Sequence, residues 1–374
     1  MRVAWHWPYL RPEHLPLVDA MADLVDELVV HTIAGRIDPS DYERGTARID
    51  PNVPDVGVHR ERSLAWLRSR TSTYVNRVRH RHDRASDVDL MHVMFVNRFT
   101  DWWALERLAR RGALVTSVHD AVPHQSRMPE SIERLLLRRL YAGAGEIVVH
   151  HASVGAQLRS EFGVAAARIH DVDHWVLPAA SEHRARPNRP PTVLCFGALR
   201  RNKGIDVLLD AIAARPEFQA RFVFAGRGAP ELEARLSAAA TSDRRITAEI
   251  GYVSETRKDA LYRDADLVVL PYTSFASQSG VLHDAYAHGR PVVVTDVGAL
   301  GSSVRADGTG RVVLANDPSA LIDATINLLA DEEEWRLAAN ASEAIRLARN
   351  PTETARRLLA IYEHARRSTL SVER

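Results

Sequence analysis

Arg200, Lys203, Ser279, Gly280 and Asp284 have the types and spacing to do chemistry, and that chemistry is the holding of a phosphate-bearing ligand. The run VLCFGALRRNKGIDVLLDAI (193–212) reads as a buried strand ending at Phe196. A turn opened by Gly197 follows, carrying Arg200, Lys203 and Gly204, and then an amphipathic helix. Two fixed cations and a helix N-terminus thus stand at the carboxyl end of a strand, where open α/β sheets bind anions. Of the 49 lysines and arginines, only Lys203 and Lys258 are lysines, so a lysine in this turn is less readily surface filler. Its compact ammonium suits a phosphate as a point charge. The bland alternative is a solvated basic turn.

A second loop has the same character. In SFASQSGVLHDAYAHGRPVVVTDVG (274–298) a strand ends at Pro271-Tyr272, and a helix begins near Ser279-Gly280. Gly280 would let a ligand approach the backbone, and the first-turn N–H groups suit a phosphate. Asp284, one turn into the helix, could accept from a hydroxyl pair such as a ribose. Alone this is a helix start with a favourable acid near its dipole. With Arg200 and Lys203 it becomes one anion site, because both loops leave carboxyl ends of strands in one sheet.

The elements that must position these residues form two series. From Thr192 the chain alternates strands (TVLCFG, RFVFAG, RITAEIG, DLVVLPY, PVVVTD, GRVVLA) with helices, and the continuous apolar runs fit parallel strands covered on both faces. The earlier half is looser. Its strands are RVAWHW, ELVVHT, DLMHVMF, ALVTSVH and EIVVHH, with helices near 14–26, 62–80, 99–111, 130–142 and 152–162. The polar segment SEHRARPNRPPT, with three prolines, reads as a linker. The expected organisation is therefore an N-terminal domain over 1–180, a linker over 181–191 and a C-terminal domain over 192–351. A last helix over 352–370 carries an apolar stripe (Ala355, Leu358, Leu359, Tyr362) able to pack back on the first domain. Two doubly wound α/β units facing each other across a cleft follow.

Bulk composition narrows the function. The 374 residues, 45% hydrophobic, suffice for two full cores, and a net charge of +1 gives no global field for nucleic acid. The one cysteine, Cys195, excludes disulfides and multi-cysteine metal sites within the chain. The start MRVAWHWPYL lacks the apolar core of a signal peptide, and no run approaches the ~18 apolar residues of a membrane span. A cytoplasmic protein is expected.

FGALRRNKGIDVLLDA, FVFAGRG, IGYVSETRKDALYRDADLVVLPY and SGVLHDAYAHGRPVVVTDVG, in this order, resemble the retaining glycosyltransferases of the group-1 type (family four), which have the GT-B fold. The likeness extends weakly forward through LVTSVHDAVP and EIVVHHASVGAQL. It implies a metal-independent enzyme without a cofactor. Such an enzyme moves a sugar from a nucleotide-diphosphate donor (UDP, GDP or dTDP) to a hydroxyl acceptor, with retention by front-face attack. A cell-envelope glycan, a lipid-linked acceptor or a natural product would serve as acceptor. Arg200 and Lys203 match the cations that hold the diphosphate, and Ser279, Gly280 and Val281 would give backbone donors to it. Asp284 matches the second carboxylate of a Glu–seven residues–Glu motif and would contact the ribose. Gly197 opens the donor turn, Tyr252-Val253 would line the base, and His119 matches a histidine beside the transferred sugar. His6, Asp120 and His174 are candidates for the acceptor side of the cleft. Three departures accompany the match. Ala276 stands where the first glutamate would be, with Gln278 as a substitute; HWPYLRPEH has no glycine; and Ala198 replaces an arginine. These leave two rival readings, a non-catalytic sugar-nucleotide-binding partner protein and a GT-B nucleotide-sugar epimerase.

Other motifs point elsewhere. Three Asp-x-Asp strings (Asp87/Asp89, Asp171/Asp173, Asp264/Asp266) could hold a divalent ion on a diphosphate, but the first and third precede strands, where turns favour Asp. Adjacent His150 and His151 on a strand point to opposite faces and cannot chelate one ion. The stretch 59–84 holds eight arginines and two acids with apolar residues at helical spacing. It reads as a solvated arginine-rich face or as a basic amphipathic helix making peripheral contact with the inner face of an anionic membrane.

Overall fold

The computed structural model describes residues 1–33, 37, 42, 45–53, 88–97, 101–110, 112–122, 129–177, 179, 187–274 and 279–372. The chain divides into two compact units, Met1–His174 with Pro351–Arg374, and Trp175–Asn350. The expected helix over 62–80, the basic stretch 59–84 and linker residues 181–186 lie outside the described residues.

The first unit is built on a seven-stranded parallel sheet. Its strands are β1 (Arg2–His6), β2 (Glu27–Ile33), β3 (Ala47–Val53), β4 (Leu90–Val93), β5 (Ala113–Val118), β6 (Glu146–Val149) and β7 (Ile169–Asp171), in the order β3-β2-β1-β4-β5-β6-β7. Helices α1 (Leu15–Ala22), α2 (Asp101–Ala109), α3 (Glu130–Ala142) and α4 (Ala152–Phe162) connect them among the described residues. Leu105, Leu108, Leu137, Leu140, Val154 and Leu158 of α2 to α4 bury one face of the sheet. Edge strands β3 and β7 were not expected from the sequence. The first contains Pro51 and polar residues, and the second is three residues long, so neither shows an apolar run.

The second unit has a six-stranded sheet in the order β10-β9-β8-β11-β12-β13. Its strands are β8 (Thr192–Phe196), β9 (Arg221–Gly226), β10 (Ile246–Ile250), β11 (Leu267–Leu270), β12 (Val292–Thr295) and β13 (Gly310–Val313). Helices α5 (Ile205–Ala213), α6 (Pro230–Ser242), α7 (Glu255–Asp264), α8 (Gly280–Ala287), α9 (Ala299–Asp307), α10 (Pro318–Ala330) and α11 (Glu332–Ala348) cover both faces. Leu208, Ile212, Leu236, Leu321 and Trp335 pack on one side, and Tyr262, Leu282, Tyr286 and Val304 on the other. Pro351 then opens α12 (Pro351–Val372), which returns to the first unit against α1 and β5. Both sheets are doubly wound and Rossmann-like. Strand order reverses between β1 and β4 in one and between β8 and β11 in the other. No helix among the described residues is long and apolar enough to cross a membrane.

Candidate functional site

In an open α/β sheet the crevice at the strand-order reversal receives the ligand. In the second unit this crevice lies beyond β8 and β11, which pair through Val193–Leu267 and Leu194–Val268. The two loops singled out in the sequence leave those two strands. After β8, Gly197 takes φ +115° and a single turn of 3-10 helix (Arg201–Lys203) ends on Gly204 at φ +66°. Gly204 is obligatory here, because a Cβ at this position would meet the Pro271 carbonyl oxygen at 1.7 Å. That close approach brings the basic turn onto the end of β11, and the Thr273 amide donates to the Asn202 carbonyl at 3.0 Å.

Lys203 lies with Nζ 3.6 Å from the centroid of the Tyr272 ring, and the Tyr272 hydroxyl shares a 2.9 Å hydrogen bond with Ser279 Oγ. One chain of contacts thus links the cationic turn to the start of α8. With its hydroxyl held by Tyr272, Ser279 does not cap α8, so no side chain of its own covers the helix entrance. A Cβ on Gly280 would meet nothing within 4 Å among the described residues. Val281 closes the other side, its Cγ2 lying 3.2 Å from where a Cβ on Gly197 would be. Burial, then the nearby Arg200 guanidinium, lower the Lys203 pKa to about 8, so the amine is mostly charged at neutral pH. Arg200 itself is exposed.

Asp284 sits one turn further along α8. Its side chain keeps 31% of its surface exposed. Burial of the carboxyl group raises its pKa to about 6 against the opposing pull of Lys258, whose Nζ lies 3.7 Å away. Burial depresses Lys258, but Asp284 and Glu255 outweigh it and hold the ammonium above its ordinary pKa. Tyr252, beyond β10, is 85% exposed, and Val253 is half-buried beside the α8 core. Gln278 lies outside the described residues, as do Ala276 and Ser277.

The first unit gathers its candidates at the carboxyl ends of its own strands. His6 ends β1 and is buried; its carbonyl accepts from the Met94 amide at 3.1 Å. Beyond β5, His119 stacks on Phe95 with centroids 4.4 Å apart, and its Nε2 lies 3.1 Å from the Met94 carbonyl. The row continues through His150, 4.9 Å from His119, to His174, 5.5 Å from His150. Burial keeps the His119 pKa below the ordinary histidine value, against the Met94 carbonyl and Asp120, so its ring is neutral at pH 7. His119, Asp120, Phe95 and Tyr141 line a cavity of about 250 Å³.

Residues 190–331, the stretch that builds this second-unit crevice, match the family model for glycosyl transferases group 1. This chain shares that match over 142 of its 374 residues. It is similar to the lipopolysaccharide core biosynthesis mannosyltransferase LpsB of Rhizobium meliloti, 34% identical over 185 residues, 45% of this chain and 50% of that protein. A D-inositol 3-phosphate glycosyltransferase of Xylanimonas cellulosilytica is 29% identical over 342 residues, 84% of this chain and 81% of that one. The match to the first of these relatives therefore spans about half of that protein's length. Anabaena Alr3699/HepE, solved in complex with UDP, superposes with a TM-score of 0.68 at 15% identity, covering 97% of this chain and 100% of that one. The two parallel sheets are those of the GT-B fold.

Several residues around the crevice escape a sequence reading. Lys258 pairs with Asp284, and its only sequence signal was its rarity as one of two lysines. Tyr272, the ring beneath Lys203, looked like a strand end. One aspartate of each Asp-x-Asp string makes a contact within its own unit. Asp266 is fully buried and accepts from the amides of Asn188 and Thr192 at 3.0 and 2.8 Å. Asp89 accepts from the Arg2 amide at 2.7 Å, and Asp173 pairs with Arg357 at 3.4 Å. His151 turns away from His150 to cap α4 through the Ser153 amide.

Proposed function

We propose that this chain is a group-1 glycosyltransferase that moves a sugar from a nucleoside-diphosphate sugar to a hydroxyl acceptor, with retention and without a metal ion at the reacting diphosphate. One observation carries this reading: the basic turn after β8 and the uncapped start of α8 after β11 meet through Lys203, Tyr272 and Ser279 at the strand-order reversal. Cations and aligned amides at one spot suit a pyrophosphate. The Anabaena neighbour's complex with UDP supports the same class of donor.

The bond between the anomeric carbon and the β-phosphate oxygen breaks, and the acceptor oxygen attacks from the same face. The acceptor's proton passes to the departing phosphate. Arg200 and Lys203 neutralise the charge that grows on that phosphate, a stabilisation that strengthens as the transition state is reached. Asp284, ionised at neutral pH, would accept from the ribose hydroxyls. On the first unit, His119 presents a neutral ring able to hydrogen-bond a sugar hydroxyl, with His6, Asp120 and His174 toward the acceptor.

The test is a thermal-shift and calorimetric screen of UDP, GDP and dTDP, followed by donor hydrolysis without acceptor in the presence of a chelator. One nucleotide should raise the melting temperature by mass action. Slow nucleoside-diphosphate release should persist with chelator and vanish in Lys203→Ala. Binding without turnover over an acceptor panel would convert the reading to that of a sugar-nucleotide-binding partner, and no binding at all would overturn it.

A further inference from the structure

Far from the carboxyl-end crevice of the first sheet, three ligating side chains converge near the amino ends of β6 and β7. Glu146 opens β6, His170 is the middle residue of β7, and His364 lies on α12. Val148 pairs with His170, and Glu146 is two residues before Val148, so both side chains leave the same face of the sheet. Ile147 and Ile169 point to the opposite face, into the α2 to α4 core. The face that Glu146 and His170 share is the one α12 covers, and His364 completes the group. Glu146 Oε2 lies 2.7 Å from His170 Nε2, and Glu146 Oε1 lies 3.9 Å from His364 Nε2. One ligand atom from each residue falls within 4.8 Å of the others.

We propose that Glu146, His170 and His364 bind one divalent transition-metal ion of the zinc class, clasping α12 to the β6–β7 edge. Two imidazoles and a carboxylate are a borderline-soft donor set that suits zinc rather than magnesium or calcium. Zinc takes such ligands at ~2.0–2.2 Å, which sets tetrahedral ligand atoms ~3.3–3.5 Å apart. The 2.7 Å to one carboxylate oxygen is shorter and the 3.9 Å to the other is longer than that separation, so entry of an ion asks the side chains to shift by about an ångström. His364 is 49% exposed, which gives the ion a way in and leaves room for a water as the fourth ligand. Arg168, two residues before His170, directs its guanidinium at the carbonyls of Gly145 and Tyr141. Glu146 also lines a 530 Å³ cavity with Ala365, Ser368 and Thr369 of α12, so the site opens onto solvent space along that helix. Because residue 364 returns after an excursion through the whole second unit, the ion would tie the two ends of that long excursion.

The test uses the full chain with its affinity tag removed and its metals stripped by chelator. Cobalt(II) is titrated by visible absorption and zinc by calorimetry, with the melting temperature followed alongside. Wild-type protein should take up one saturable equivalent with the intense visible band of tetrahedral cobalt, and zinc should raise its melting temperature. His364→Ala, at an exposed position, should keep the melting temperature of the stripped protein yet bind at least tenfold more weakly and lose the zinc-induced rise. Glu146→Gln, which keeps shape but removes the charge, should behave alike. An unchanged equivalent in His364→Ala, or no saturable uptake by the wild type, would overturn the proposal and leave Glu146 and His170 as a plain hydrogen-bonded pair.

Discussion

Two side chains at the proposed donor crevice carry opposite shifts, and together they would set a pH window for nucleotide binding. Lys203, held near pKa 8, loses its charge as pH rises through that value. Asp284, held near 6, loses its charge as pH falls through that one. Affinity for the nucleoside diphosphate should therefore be greatest between about 6 and 8 and fall on both sides, as read by calorimetry across that range. Lys203→Arg, whose guanidinium stays charged, should remove the alkaline limb. Asp284→Asn should flatten the acid limb, save for the part belonging to the nucleotide's own phosphate, which titrates near ~6. At pH 7, Lys203→Ala should weaken binding about tenfold to a hundredfold, the ~1.5–3 kcal/mol of a charge-assisted contact. Equal affinity in Lys203→Ala would remove the lysine from the diphosphate. The cations and Asp284 were legible in the sequence because their offsets from a strand end are local. Lys258 was not, since its contact with Asp284 depends on how α7 and α8 pack.

At the level of elements, α12 is tied to the first sheet by a polar network inside an apolar face. Trp5 Nε1 can only donate, and it donates to the Tyr362 hydroxyl at 2.9 Å. The Tyr362 proton then goes to His92 Nδ1 at 2.7 Å, so His92 carries its own proton on Nε2 and donates to Ser117 Oγ at 2.9 Å. Tyr362→Phe leaves Trp5 and His92 buried without this partner and should destabilise the first unit by about 2–3 kcal/mol, measured by urea denaturation. Burial lowers the His92 pKa to about 3, and the unfolded chain would take the proton near the ordinary 6.5. The unfolded state thus binds more protons between these values, and the contribution of neutral His92, complete above about 6.5, is lost as pH falls toward 3. Stability should decline by about 1.4 kcal/mol per pH unit for this one proton. His14, lowered to about 4 by burial, adds to the slope in the same direction. A pH-independent urea midpoint between 6 and 4.5 would show that His92 is already charged in the fold. The sequence revealed the strands with continuous apolar runs and the helical stripe of α12. It hid β3 and β7, whose pairing is decided by neighbours rather than by their own composition. The network was equally hidden, because Trp5, His92 and Tyr362 are far apart along the chain.

On the scale of the whole molecule the two units differ in connectivity, and that difference should decide which of them folds alone. Trp175–Asn350 is continuous and holds both loops of the proposed donor site, so a fragment with these bounds should melt cooperatively and keep whatever nucleotide affinity the parent has within about threefold. Met1–His174 lacks α12, which buries Leu358, Ile361 and Tyr362 among smaller residues. At ~1.5–3 kcal/mol for each large side chain, their loss removes on the order of 5–9 kcal/mol, comparable to the ~5–15 kcal/mol that keeps a typical domain folded. The isolated 1–174 fragment should therefore show no cooperative transition by circular dichroism, and a synthetic 351–372 peptide added in trans should restore one. Restoration by a peptide carrying Tyr362→Phe should be weaker, because it fills the groove yet leaves Trp5 and His92 unsatisfied. A 1–174 fragment that melted cooperatively by itself would mean that α12 rests on a finished domain instead of completing it.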